Sequence, residues 1–170
     1  MILRYKDKEF KQLWDKEINN HCFTPFYSIA KQDYIHQRLK DEKKFVENVS
    51  FLIIKDSNII AGFCGSLIIN NNKIDIIVGD SRLTRPCISF FNKAEMTKKY
   101  KNEFIAEIED IIKKSSGEFH LREIKCNDIT ILGKHLLNKG GRAFPRFFIN
   151  IKLSDNEEKL KQNLWRSNKN

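Results

Sequence analysis

The sequence predicts an α+β domain whose mixed, mostly antiparallel central sheet is flanked by helices. Three observations carry this. Two short polar connections, Asp56-Ser57-Asn58 and Asn70-Asn71-Asn72-Lys73, join three apolar runs into an antiparallel meander. Two amphipathic helical patterns precede the meander and a longer one follows it. The pattern then alternates strand, helix, strand, and a meander followed by such alternation is not a doubly wound fold.

The chain opens on a strand-like run, Ile2–Tyr5. Phe10, Leu13, Trp14 and Ile18 then recur at helical spacing, with Asn19-Asn20 as a stop signal. A second helix follows Ser28, whose hydroxyl can cap it, and carries Ile29, Tyr34, Ile35, Arg38 and Leu39. Phe51–Lys55 is continuously apolar, as in a strand buried on both faces. Ile59–Ile69 and Ile74–Val78 complete the meander, and Cys87–Phe91, after Pro86, reads as an added edge strand. Met96, Tyr100, Phe104, Ile105, Ile108, Ile111 and Ile112 make one helical stripe ending at Gly117. Glu118–Glu123 reads as a strand, and Asp128–Asn138 as a helix stopped by Gly140-Gly141. Phe147–Leu153 alternates cleanly as a strand. Ser154 and Glu157 form a capping box that opens a last helix bearing Leu160, Leu164 and Trp165.

At 170 residues the chain suits a single core. No apolar run reaches the roughly 18 residues of a membrane helix. Met1–Asp7 lacks the long apolar core of a signal peptide, so a cytoplasmic domain is expected. Cys22, Cys64, Cys87 and Cys126 are scattered without ligand spacing and read as ordinary thiols, several of them buried. His21, His36, His120 and His135 are equally dispersed, and no metal site is expected. Hydrolase, zinc-protease, dinucleotide and Walker motifs are absent. Gly62 and Gly65 lie inside a strand, where a bulge or close backbone approach explains them better than a phosphate loop.

The formal charge is +9, from 31 Lys and Arg against 22 Asp and Glu, which suits an anionic partner. A lysine-rich composition would produce the same excess with no partner at all. Its distribution is more specific. Between Asp128 and Asp155 there is no acidic residue, while Lys134, Lys139, Arg142, Arg146 and Lys152 all fall there. The stretch Arg142–Phe148 mixes bases and aromatics, as single-strand nucleic-acid binders do. Phe147 and Phe148 run on into an alternating strand, which favours core packing for them and leaves Arg142 and Arg146 as anion contacts.

The element order is similar to that of the GNAT superfamily of acyl-CoA N-acyltransferases. In that superfamily a glycine-bearing loop holds the pyrophosphate where the last meander strand enters the long helix, because glycines let backbone N–H groups reach phosphate. Here the junction Phe90–Lys99 contains no glycine and carries Glu95. Acetyl-CoA is therefore not expected to bind in the usual way, and no cofactor is implied.

Three stretches together resemble the FemAB-like family. They are Thr24–Ser28 followed by Tyr34, His36 and Arg38; Leu136–Gly141 with the strand ending Ile149–Ser154; and the helix Glu157–Asn170. The resemblance implies a GNAT-like domain over 1–153, with 154–170 beginning a helix that leads to a second such domain. Members attach amino acids from aminoacyl-tRNA to a peptidoglycan precursor, and distant relatives are N-acyltransferases of surface polysaccharide. The implied partner is a nucleotide- or lipid-linked cell-envelope precursor, with aminoacyl-tRNA engaged through a second domain. The family's phosphate-binding base matches Arg38, with His36 and Tyr34 as neighbours. A guanidinium suits pyrophosphate because it presents a planar fork of donors. An aminoacyl ester is already activated, so positioning alone can supply much of the rate, and no catalytic side chain is read. Two other functions fit the same sequence: a stand-alone GNAT-like acyltransferase with a degenerate donor site, and a non-catalytic basic module for RNA or an acidic protein.

Overall fold

The computed structural model describes residues 1–20, 27–78, 86–122 and 129–143. The strand expected at 147–153, the helix after Ser154, Arg146, Cys22 and Cys126 lie outside the described residues.

The described chain is an α+β arrangement with a mixed, mostly antiparallel sheet flanked by helices. Its elements are β1 (Ile2–Arg4), α1 (Lys8–Asn20), α2 (Ile29–Asp41), β2 (Phe45–Asn48), β3 (Phe51–Lys55) and β4 (Asn58–Cys64). Then come β5 (Ser66–Asn70), β6 (Lys73–Ile77), β7 (Cys87–Phe91), α3 (Lys98–Lys113), β8 (Leu121–Arg122) and α4 (Ile131–Asn138). Five strands pair in the order β1-β3-β4-β7-β8, and three in the order β2-β5-β6. All pairings are antiparallel except β7 with β8.

The two sheets share their strands end to end. β2 runs into β3, and β4 into β5, with a corner at Ser50 and Gly65. There Val49 N donates to Gly65 O (3.0 Å), and Gly65 N donates to Ser50 Oγ (3.1 Å). A Cβ at Gly65 would collide with the ring of Phe63, so the corner needs glycine. The segment before β8 closes the seam on the far side. Ile76 N donates to Glu118 O (2.7 Å) and Cys87 N to His120 O (2.6 Å), so this strand lies against both sheets.

Turn chemistry sets both hairpins. Asp56 and Ser57 sit at φ 47° and 67°, Asn71 and Asn72 at 48° and 61°, the paired left-handed conformations of a two-residue turn. Asp and Asn adopt these more readily than other side chains do. Ser28 Oγ accepts from Lys31 N and caps α2, as its position implies. Gly140 (φ 90°) ends α4 in a Schellman turn, with Gly141 N donating to Leu136 O at 2.9 Å.

Successive strand residues point to opposite faces, and β7 shows what that achieves. Phe90 packs toward Trp14 of α1, at 5.7 Å between rings, and Phe91 toward Phe104 of α3, at 4.8 Å. The sheet is therefore covered on both faces, by α1 and by α3. Phe10, Trp14, Phe51, Phe63, Phe104 and Ile108 are fully buried there. Gly62 belongs to the same packing: a Cβ would overlap the Phe90 ring and meet Leu52, which bears out a close approach within a strand.

Four expectations are corrected. Cys87–Phe91 is an interior strand between β4 and β8, because its aromatics are needed on both faces. The run 59–69 is two strands, split at the Gly65 corner. Phe45–Asn48 is an additional strand, an edge of the three-stranded sheet paired antiparallel with β5. α3 stops at Lys113, before Ser115 and Ser116 cap β6: Ser115 Oγ donates to Ile74 O, and Ile74 N donates to Ser116 Oγ.

Candidate functional site

α2 brings together three of the residues singled out from the sequence, on different faces. Its buried residues are Ile29, Gln32, Ile35, His36 and Leu39. Tyr34 points outward, 61% exposed, with Lys31 Nζ 4.8 Å from its ring centre. Arg38 is partly exposed, and its Nε lies 3.9 Å from Glu42 Oε1. Residues 31, 34 and 38 are spaced by three and four, so they line one stripe of the helix. That stripe presents cation, aromatic ring and cation.

His36 is buried instead of being presented to a ligand. Its ring centre is 5.6 Å from Tyr5 and 4.7 Å from Phe45, and Nε2 lies 2.9 Å from Ser66 Oγ. Burial pushes its pKa down to about 4, which keeps the ring neutral near pH 7. The amides beside it are fixed by backbone groups at both ends of a hydrogen-bonded chain. Gln32 Nε2 donates to Tyr27 O (2.7 Å), so Gln32 Oε1 accepts from Asn48 Nδ2 (3.2 Å). Asn48 Oδ1 in turn accepts from Ser50 N (2.8 Å). The Asn48 Nδ2 that faces His36 Nε2 at 3.5 Å is therefore a donor. Helical spacing could have revealed this burial, since His36 lies seven residues beyond Ile29 and three before Leu39, on their face.

The junction of β7 with α3 holds an open recess of about 390 Å³, lined by Glu17, Asn58, Ile59, Phe90, Phe91, Asn92, Lys93 and Glu95. Two carboxylates face it, and Asn58 Nδ2 donates to Glu95 Oε1 at 3.3 Å. The first turn of α3 beyond it is different. It has no acidic residue, Thr97 makes no side-chain cap bond, and Lys98, Lys99 and Lys101 are exposed. In the sequence Glu95 and the missing glycine stand out at this junction, and these lysines do not.

Arg142 is exposed, just past α4. Beside it, Lys139 Nζ and His135 Nε2 both approach Glu109 Oε1, at 3.1 and 2.6 Å, tying α4 to α3. These two contacts use part of the basic segment for structure. The described thiols are poor nucleophiles, because burial raises Cys64 to about 12 and drives Cys87 well above its usual value. Ser66 is 1% exposed, so its approach to His36 forms no accessible nucleophile. Among the described residues no three His, Cys, Asp or Glu side chains gather as metal ligands, and no helix is long and apolar enough to cross a membrane.

No family model matches the chain, and no significant similarity is found to a curated protein or to a solved structure.

Proposed function

We propose that this is a GNAT-like substrate-binding domain of FemAB-like type, working in the cytoplasm as the N-terminal unit of an aminoacyl or acyl transferase. It holds a nucleotide- or lipid-linked cell-envelope precursor on the exposed stripe of α2. The observation that carries this reading is the Lys31–Tyr34–Arg38 stripe on a helix anchored by its opposite face. A guanidinium can take a phosphate in a bidentate fork, and an exposed tyrosine ring can stack on a base or sugar. The Arg38–Glu42 contact is long, at 3.9 Å, and joins two partly exposed side chains, so it is a weak competitor for a phosphate. Arg142 offers a further anion contact. The described thiols and Ser66 are buried, and in this reading the domain contributes binding and orientation while the activated ester supplies the chemistry.

One observation favours the second reading, a stand-alone acyltransferase with a degenerate donor site. Lys98, Lys99 and Lys101 crowd the N-terminal turn of α3, where a helix dipole and ammonium groups together attract phosphate. Titration calorimetry with a nucleotide-linked peptidoglycan precursor tests the first reading. Arg38→Ala should lose about 1.5–3 kcal/mol of binding, the range for a hydrogen bond to a charged group, with its unfolding midpoint unchanged. Equal affinity of wild type and variant would remove Arg38 from the site. Micromolar binding of acetyl-CoA, abolished by Lys98→Ala with Lys99→Ala, would establish the second reading instead.

A further inference from the structure

The two ends of α2 are held differently. At its start Tyr27 and Ile29 belong to the main core, and Tyr27 O accepts from both Trp14 Nε1 (2.8 Å) and Gln32 Nε2 (2.7 Å). Beyond Gln32 the helix contributes only Ile35 and Leu39 to a separate cluster with Ile68 and Ile77, with Phe45 at its margin. His36 sits between the two, 5% exposed and walled by Tyr5 and Phe45. We propose that His36 is an acid-sensitive latch: neutral, it docks the Ile35–Asp41 part of α2 on β2 and β5; protonated, it releases that part while the main core stays folded.

The surroundings of the ring oppose a positive charge. Asn48 Nδ2 of β2 can only donate toward Nε2, and protonation turns Nε2 into a second donor facing it. Ser66 Oγ of β5 can adapt by accepting, but it brings no charge. Lys40 on α2 and Lys11 on α1 both disfavour the protonated ring. Asp33, on α2, is the carboxylate that favours it, and Asp33 is already engaged. Tyr5 OH donates to its Oδ1 at 2.6 Å, and Lys11 Nζ approaches its Oδ2 at 3.1 Å. Burial is the largest cause of the lowered pKa of about 4, and opening the helix end removes it. The small apolar cluster is the weaker of the two attachments, so release begins there.

Amide hydrogen exchange of the whole chain, followed by NMR and corrected for intrinsic rates, tests the latch. Lowering the pH from 7 to 5 should speed exchange in Ile35–Asp41 about 20-fold, from a ring near 4 when docked and about 6.5 when open. Amides in β3 and β4 open only with the whole core, so at both pH values they should stay more strongly protected than those of Ile35–Asp41. His36→Gln keeps polar groups but cannot titrate, and its α2 exchange should be independent of pH in this range. Equal acid sensitivity in His36→Gln, or α2 amides as strongly protected at pH 5 as those of β3 and β4, would overturn the proposal. Should His36→Gln not fold, the wild-type ring can be titrated directly by NMR alongside the exchange measurement. A ring that titrates near pH 6.5 with α2 amides unmoved would overturn it equally.

Discussion

Around β3, β4 and β7 both sheet faces are sealed by Phe10, Trp14, Phe51, Phe63 and Phe104, none of which meets water. Around β2, β5 and β6 the face toward α2 holds Ile35, Leu39, Ile68 and Ile77, with His36, Ser66 and Asn48 filling the rest through hydrogen bonds. Consecutive residues divide this labour: Ile76 points into the large core and Ile77 into the small one. The aromatic region carries most of the stability, and the proposed binding stripe lies over the other one. An aromatic core resists opening because each ring buries a large area. A helix half held by four aliphatics and a polar chain opens at lower cost, and that helix carries Tyr34 and Arg38 on its outer side.

The largest effect should come from breaking the first region. Phe104→Ala removes the ring that meets both Phe51 and Phe91, and should cost about 3–5 kcal/mol in urea unfolding. Protection should fall in every strand at once. Leu39→Ala attacks the second region and should cost about 2–3 kcal/mol, at the lower end for such a truncation because a small cluster can collapse around the gap. Its loss of exchange protection should be confined to α2, β2 and β5; an equal loss in β3 would show that the two regions are one. The smallest effect is the pH dependence. His36 has a folded pKa of about 4, below its unfolded value of about 6.5. Its contribution is therefore fully present above about pH 6.5 and is lost as pH falls toward 4. Urea unfolding should show about 2 kcal/mol less stability at pH 5 than at pH 7, and His36→Gln should flatten the curve.

Much of the hairpin pattern in both regions is legible in the sequence. Apolar runs of strand length and the turns at Asp56-Ser57 and Asn71-Asn72 define β3 to β6, because turn chemistry and burial act locally. The stripe from Tyr100 to Ile112 defines α3 for the same reason. The corner was not legible. Ile59–Ile69 reads as one apolar run, and only the collision of a Gly65 Cβ with Phe63 shows why it bends. β7 reads as an edge in the sequence because its outer neighbour, β8, is only two residues long and pairs in parallel across a long connection. At the candidate site, Tyr34 and Arg38 emerge on the exposed stripe, while His36 falls on the buried face, as its spacing from Ile29 and Leu39 implies. The lysines opening α3 were lost within a lysine-rich chain, because their meaning depends on where the helix starts.

The proposed ligand site is α2 and not the β7–α3 junction, and chemical-shift mapping on the intact chain distinguishes the two. Backbone amides are followed during separate titrations with a nucleotide-linked peptidoglycan precursor and with acetyl-CoA. Saturable shifts centred on Lys31, Tyr34 and Arg38 are expected for the precursor, lost in Arg38→Ala, with no saturable shifts for acetyl-CoA. Saturable acetyl-CoA shifts at Asn92–Lys101, with α2 silent toward the precursor, would contradict it.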